Sequence, residues 1–417
     1  KVTRAYEMGL DTVRSLQQEL AGYRRQLADN YLIDRSVTDK LVTEMYERKQ
    51  QDVDFSHFLF SVGDRAVPED SLAAYARIEA LANQLNTRNF AELASSSSQD
   101  NYTKGRGGRV GFISAPMPAG FYALESLLFE GETGKVLGPV RSKAGYHMVF
   151  IHERRPAAGE VEAAHIMVRK SEDDNGAARE KIERALALLN AGTPFEQVST
   201  EISEDVRTAQ NGGYIGWFGV NRYEDPFEEA AFGLENDNAI SAIVETSVGY
   251  HIIKRIARRS VQPLSDERPL LERTVQADSR YNEAIEALLL DIRQRANVSE
   301  DRALLEQWTR TLVDSAFLHF RWSTPEPRDE RPLMLLGENG ETVYTIADFQ
   351  DYLASKARER MSAGRTDGSR AAVDALYPEW VKETLLAYEE TKLEDRYPEF
   401  RALMREYEEG ILLFEAT

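Results

Sequence analysis

The chain repeats itself. Phe90 and Phe195 each open a short helical stretch, Phe-Ala-Glu-Leu and Phe-Glu-Gln-Val, and they stand 105 positions apart. Asp100 and Asp205 keep that spacing, as do Gly107-Gly108-Arg109-Val110-Gly111-Phe112 and Gly212-Gly213-Tyr214-Ile215-Gly216-Trp217. Gly145-Tyr146-His147 pairs with Gly249-Tyr250-His251, and Phe55–Phe60 pairs with Ala163–Val168. So many blocks in one order define two copies of one unit, residues 52–155 and 159–258. Arg154–Glu160 joins them, and Pro156 and Gly159 suit a linker. Whatever one copy folds into must therefore be a small domain of roughly 100 residues that occurs twice.

Within each copy the residues predict a strand, helices, a strand, a helix and two more strands. Val53–Phe60 and Val161–Val168 are short, apolar and β-prone. A longer helix follows, marked by Leu72, Tyr75, Ile78, Leu81 and Leu85 in copy one and by Ile182, Ala185, Leu186 and Leu189 in copy two. The Gly-Gly pair turns into a second strand. A short helix starts near Phe121 or Phe227, Val136–Val140 and Ser241–Val244 predict a third strand, and Gly-Tyr-His opens the last. The expected class is α+β, with an antiparallel four-stranded sheet in each copy and helical flanking segments.

The flanks, residues 1–51 and 260–417, read as mainly helical. Met8, Leu10, Val13, Leu16, Leu20, Tyr23 and Leu27 form one apolar stripe, and Val37–Lys49 forms a second amphipathic stretch. Leu270–Ala296 predicts a long helix, and residues 370–412 are helical and charged. Leu333–Leu336 and Thr342–Ile346 predict a hairpin through a type I′ turn at Asn339-Gly340. Thr345–Asp348 predicts a capping box for the next helix. Each flank has an apolar face without a partner, so the two are expected to cover one another in a discontinuous helical domain that carries the copies as insertions. The chain opens at Lys1 inside a helical pattern and closes on the apolar run Ile411–Phe414, which reads as a fragment of a longer protein.

A formal net charge of −19 argues against a nucleic-acid backbone as partner, since phosphate binding needs clustered Lys and Arg. The chain has no cysteine, which excludes disulfides, Cys-ligated metals and thiol nucleophiles and suits an oxidising compartment. No apolar run reaches the ~18 residues of a membrane span. The chemistry rests on histidine. Of six histidines, His57 and His147 match His165 and His251. Each pair falls on the first and last strands of its copy, so neighbouring strands would bring the imidazoles together at the sheet centre, close to Asp100 or Asp205. A lone histidine on an apolar strand is ordinarily a satisfied core residue, but two such pairs, each with an Asp before a Gly-Gly turn, point to a shared site. His, His and Asp without Cys or a His-x-x-x-His helix speak against zinc. Ser56 next to His57 would suit a Ser-His-Asp hydrolase, but Ala164 takes that place in copy two and neither copy has a nucleophile elbow. The Gly-Gly-x-x-Gly runs lack the Lys-Ser/Thr of a phosphate loop.

His165–Val168, Ser203–Asp205, Gly212–Phe218, Phe227–Phe232 and Thr246–Ile253 resemble, in order, the motifs of parvulin-type peptidyl-prolyl cis-trans isomerases across all of copy two. Copy one follows the same order more loosely, and with its helical flanks the chain resembles the SurA/PrsA group of periplasmic folding factors. The resemblance implies an isomerase and chaperone that needs no cofactor. It implies a location in the periplasm or cell envelope of a Gram-negative bacterium. The implied partners are unfolded or proline-containing client polypeptides, outer-membrane or secreted proteins among them. The alternative is a non-catalytic chaperone or scaffold module of an envelope assembly that uses the folds only to grip clients. Carried onto these positions, the resemblance gives copy two a polar network of His165, Asp205, Thr246 and His251 and a proline pocket of Ile215, Tyr223 and Phe227. Copy one receives His57, Asp100, Ser142 and His147, with Val110, Met117 and Phe121 as its pocket. Tyr223 stands where the family commonly has Met, and Ile113 stands where copy two has Phe218. Exposed rings at Phe121 and Phe227 would mark a pocket, buried ones a core. Copy two, the tighter match, is expected to be the active one.

Overall fold

The computed structural model describes residues 9, 13–63, 66–170 and 176–415. From the N-terminus, α1 (Arg14–Ile33), a π-helical turn (Asp34–Thr38) and α2 (Asp39–Lys49) precede copy one. Copy one runs β1 (Gln51–Ser61), α3 (Pro68–Ala82), α4 (Phe90–Ser97), β2 (Arg109–Ser114), α5 (Tyr122–Glu130), β3 (Val136–Ser142) and β4 (Gly145–Pro156). Copy two repeats the order as β5 (Glu160–Arg169), α6 (Ala177–Asn190), α7 (Phe195–Ile202), β6 (Tyr214–Phe218), α8 (Asp225–Gly233), β7 (Val244–Glu245) and β8 (Gly249–Arg259). Then come α9 (Leu264–Ala277), α10 (Ser279–Arg295), β9 (Ser299–Glu300), α11 (Arg302–Thr309), α12 (Asp314–Phe317), β10 (Pro332–Leu336), β11 (Thr342–Thr345), α13 (Ile346–Ser355), α14 (Ala357–Glu390), α15 (Leu393–Arg396) and α16 (Pro398–Glu415). The chain divides into two compact units: Leu41–Arg280, which holds both copies, and Lys1–Lys40 with Tyr281–Thr417.

The two copies form antiparallel sheets of the same order, β2-β1-β4-β3 and β6-β5-β8-β7. The first strand of each copy is buried almost without interruption, Asp52, Asp54 and Ser56 included, because helices cover both faces. In copy one Phe58, Phe60, Ile78, Phe90 and Met148 form one core, while Val53, Phe55, Ile113, Leu124, Val149 and Ile151 form another. In copy two Ile166, Ile182, Phe195, Val198 and Ile252 share one core, and Val161, Ala163, Phe218, Phe227 and Ile253 share the second. Successive residues such as Ile252 and Ile253 thus serve opposite faces, as the strand period of two requires. Both first strands carry the same bulge, at Asp54/Phe55 and at Glu162/Ala163. The third strand differs between the copies. In copy two the ladder over Ser241–Val244 is interrupted, because the Ser241 hydroxyl takes the hydrogen bond from Ile253 N–H (2.9 Å). What remains is a bridge between Ile240 and Lys254 and the short β7.

Beyond the copies, the helix expected over Leu270–Ala296 is two helices. Asp278 is extended (φ −97°, ψ 152°), and its carboxylate caps α10 by accepting from Arg280 N–H at 2.9 Å. In the other unit, Ala28 and Leu32 of α1 pack against Leu393, Phe400 and Met404. Arg24 of α1 pairs with Glu394 at 2.8 Å. Of the expected stripe, Leu16, Leu20 and Leu27 turn inward to differing degrees, Val13 and Tyr23 are exposed, and Met8 and Leu10 lie outside the described residues. The β10–β11 hairpin forms with β9 as a third strand. Its turn is not type I′: Gly340 N–H donates to Gly337 O at 3.1 Å, and Gly340 (φ 68°), not Asn339, takes the left-handed position. A type I turn followed by a left-handed glycine closes the loop instead. The capping box of Thr345 and Asp348 is complete. No helix of the described residues is long and apolar enough to cross a membrane.

Candidate functional site

Each site is assembled at the Gly-Gly turn. Gly108 (φ 81°) and Gly213 (φ 77°) are left-handed. Their carbonyls accept from His57 N–H (2.9 Å) and His165 N–H (2.8 Å), which fixes the first histidine against the turn. A Cβ at Gly213 would lie 2.2 Å from the His165 carbonyl oxygen, and one at Gly108 would lie 2.3 Å from that of His57. Gly213→Ala is accordingly expected to destabilise the protein by at least ~2 kcal/mol, read as a lower urea midpoint. An unchanged midpoint would mean that the turn can relax without disturbing His165.

The strand register brings the histidines together. His165 faces Ile253 and His251 faces Met167, so the two imidazoles are diagonal neighbours on one face of β5 and β8. Their Nδ1 atoms lie 3.4 Å apart. A carboxylate only accepts, so His165 Nε2 carries the hydrogen it donates to Asp205 Oδ2 at 3.1 Å. Its Nδ1 must then accept from His251 Nδ1–H. That leaves His251 Nε2 as the acceptor for the Thr246 hydroxyl at 2.9 Å. Every link is satisfied with both rings neutral, and a further proton would set two donors face to face. Copy one repeats the chain: His57 Nε2 to Asp100 Oδ2 at 2.8 Å, the two Nδ1 atoms of His57 and His147 at 3.1 Å, and His147 Nε2 to Ser142 Oγ at 2.6 Å.

The electrostatics follow from burial and these bonds. Burial, then the neighbouring His165, pushes His251 down from 6.5 to about 4. Burial, then His57, takes His147 to about 3. Burial also lowers His165 and outweighs the opposing pull of Asp205. Burial alone would raise Asp205, but hydrogen bonds from His165 and Thr208 hold it at about 2. Thr208 and Thr103 are members of the network that the sequence reading missed. Thr208 donates to Asp205 Oδ2 at 3.0 Å, and Thr103 donates to Asp100 in the same way. They stand 105 positions apart in a shared Asp-x-x-Thr, so the repeat itself could have revealed them.

The predicted pocket residues separate. Phe227 lies 5.3 Å from the His251 ring and 5.9 Å from that of His165, with Tyr223 tilted over it at 4.6 Å. It is only 2% exposed, so the expected exposed ring is instead the buried floor of the site, and half-buried Tyr223 is its accessible aromatic surface. A cleft of about 890 Å³ opens here, lined by His165, Asp205, Tyr223, Phe227, Val248 and His251 among others. Ile215 packs in the core beside Phe218 and does not line this cleft. In copy one Phe121 is half-buried and is the N-cap of α5, its ring 6.3 Å from His147. The third position of α5 is Leu124, and the third position of α8 is Phe227. The pairing of Phe121 with Phe227 is therefore out of register, because the loop before α5 is longer. Val110 and Met117 line a different cleft of about 640 Å³, whose other wall includes Val220, Val261 and Leu270. Neither His57 nor His147 lines either cleft.

A glutamate holds each pocket loop, and the sequence reading missed both. Glu228 accepts from the N–H groups of Asn221, Arg222 and Tyr223 at 2.9, 2.6 and 2.7 Å. Glu125, fourth in α5 as Glu228 is in α8, accepts from Met117 N–H at 2.7 Å. It also pairs with Arg48 and Arg280.

A sheet of this order with a histidine pair on its central strands, present twice, defines two parvulin-type domains in tandem. Residues 57–153 and 150–259 each match the PPIC-type PPIASE domain. The chain is 26% identical over 311 residues to the chaperone SurA of Nitrosococcus oceani, which covers 72% of this chain and 67% of that protein. It is 32% identical over 197 residues to the chaperone SurA of Yersinia pestis, covering 44% of each. NmPin, the parvulin of Nitrosopumilus maritimus, is 31% identical over 24% of this chain and 97% of its own, with a TM-score of 0.19. Residues 57–259 thus carry two PPIC-type domains in tandem, and the chain is similar to SurA chaperones.

Proposed function

We propose that the chain is a peptidyl-prolyl cis-trans isomerase and a chaperone for unfolded client polypeptides in the cell envelope, with turnover at copy two. The carrying observation is that the Asp205–His165–His251–Thr246 chain and the Tyr223–Phe227 floor open together onto one cleft. Rotation about an Xaa–Pro amide crosses a barrier of ~18–20 kcal/mol and breaks no bond, so no nucleophile is required. The twisted amide has lost resonance, and its oxygen is less polar than in the planar form. An apolar floor favours it, because that floor solvates the planar ground state poorly. In this reading Tyr223 and Phe227 receive the proline ring. The two histidines, neutral and locked by Asp205 and Thr246, are positioning residues that brace the floor and move no proton. Copy one, whose histidines line neither cleft, supports a gripping role. Residues 52–155 and 159–258 are the proposed parvulin domains, and of the flanks expected at 1–51 and 260–417, the separate unit of residues 1–40 and 281–417 is the proposed helical client-binding body.

The test is turnover of an Xaa–Pro peptide by the intact chain, alongside suppression of aggregation of an unfolded client followed by light scattering. Tyr223→Ala is expected to lower kcat/KM by about tenfold or more, an effect of ~1.4 kcal/mol, and to leave aggregation suppression largely intact. Wild-type chain that suppresses aggregation without turning over any Xaa–Pro peptide would favour the non-catalytic chaperone instead.

A further inference from the structure

The copy-two cleft is not built from copy two alone. Its wall includes Tyr102, Arg106 and Val110 of copy one. Val110 was expected in copy one's own pocket, yet it also lines the site of copy two. The Tyr102 side chain is exposed (92%) at the cleft mouth, and Arg106 ends the 3₁₀ turn Lys104–Arg106 that follows it.

The charges around this cleft run against the rest of the molecule. The chain carries a net −19, but Arg106, Arg169, Arg207 and Arg222 all line the cleft. Of the lining carboxylates, Asp205 is taken up by His165 and Thr208. Glu224 accepts from both the N–H and the hydroxyl of Ser247. Asp225 remains beside Gly111 of copy one at the start of α8. Arg207 touches Asp205 at 3.3 Å with one nitrogen, and its side chain is otherwise open to solvent. Against burial, which would raise it, the Glu224 carboxyl is held below its usual range by the Ser247 bonds, then by His251 and Arg106. A cleft with an apolar floor and a guanidinium rim recognises a proline ring next to a carboxylate.

We propose that copy one supplies a wall of the copy-two site, and that Arg106 with Arg207 and Arg222 selects prolines flanked by an acidic residue. This rests on the isomerase reading of copy two and adds its substrate class. The experiment uses the intact chain and peptides that differ only beside the proline, with Glu, Ala or Lys on either flank. At low salt kcat/KM for the preferred Glu-flanked peptide is expected to exceed that for its Lys counterpart by about tenfold, and the ratio should shrink toward one at high salt. Arg106→Glu, a change confined to copy one, should reduce the ratio several-fold. Equal turnover of Glu and Lys peptides, or a ratio that Arg106→Glu leaves untouched, overturns the proposal while the isomerase reading stands. Calorimetric binding of the same peptides reads the charge preference separately. Absent turnover with preferential binding of the Glu peptides would remove the isomerase reading and keep the selectivity.

Discussion

Replacing Glu125 by alanine is expected to lower the stability of the 41–280 unit by about 3–5 kcal/mol, among the largest effects a single substitution can have here. Glu125 and Arg280 are both 0% exposed at their side chains, and Arg48 is 5% exposed. Arg280 grips the carboxylate with two nitrogens, at 3.0 and 2.9 Å, and Arg48 adds a third bond at 3.0 Å. The same carboxylate holds Met117 N–H. Alanine would leave the buried Arg280 guanidinium facing a void with only Asp278, 3.2 Å from its Nε, while Arg48 keeps Glu44 at 2.8 Å and Glu130 at 2.5 Å. The measurement is the urea midpoint of the full chain, followed through the fluorescence of Trp217 with Trp308, Trp322 and Trp380 replaced by phenylalanine. A second variant separates charge from packing: Arg48→Met, Glu125→Leu and Arg280→Met together remove every charge of the trio. If stranded charge is the cause, the triple variant recovers most of the loss. If it is no better than Glu125→Ala, the hydrogen bonds themselves carry the stability. Copy one cut out as residues 52–155 lacks both Arg48 and Arg280. It is expected to be less stable alone than copy two cut out as 159–258.

The duplication explains why so much of the fold is legible and where legibility ends. Histidines, aspartates and glycines that repeat at one spacing identify themselves as parts of one geometry, and Thr103 and Thr208 carry that same signal. The pairing of Phe121 with Phe227 goes wrong because it assumes constant spacing through a loop of variable length. The helix positions of Leu124 and Phe227, and of Glu125 and Glu228, give the true register. The break at Asp278 is hidden by an apolar period that continues across it, although Asp is a good N-cap. The burial of Glu125 and Arg280 has no local signature at all. Each reads as a surface charge on an amphipathic helix until tertiary contact 155 positions away places one against the other. The contribution of Tyr102, Arg106 and Val110 to the cleft of the other copy is likewise a fact of packing between repeats, which the repeat pattern of either copy alone does not contain.

Acidification from pH 7 to pH 4.5 is expected to destabilise the protein through its histidine pairs while Asp205 and Asp100 remain ionised. His251 has a folded pKa near 4 against an ordinary 6.5, and His147 lies near 3. For each, the unfolded chain binds a proton that the folded chain refuses. The stability they contribute is complete above about 6.5 and is lost as pH falls from there toward the folded value. Each unit of displacement corresponds to ~1.4 kcal/mol, so the loss over this range is on the order of a few kcal/mol. Asp205, at about 2, titrates below that window; its stabilisation persists to pH 4 and fades only at lower pH. The buried imidazoles therefore steepen the fall between pH 6.5 and 4.5, while Glu44, Glu228 and Asp54, whose carboxyls burial raises, work in the opposite sense. His251→Gln removes one titrating group and should flatten urea midpoints plotted against pH by about one proton in this range. Imidazole NMR signals of His147 and His251 should remain those of neutral rings at pH 5. Titration of either near 6.5 would break the one-way donor chain on which the site's rigidity rests. The same chain has a consequence for catalysis. Rings that brace a pocket and exchange no proton leave isomerisation independent of pH between about 5.5 and 8, as long as the fold holds. A bell-shaped kcat/KM profile across that range would assign the histidines a proton-transfer role that amide rotation does not need.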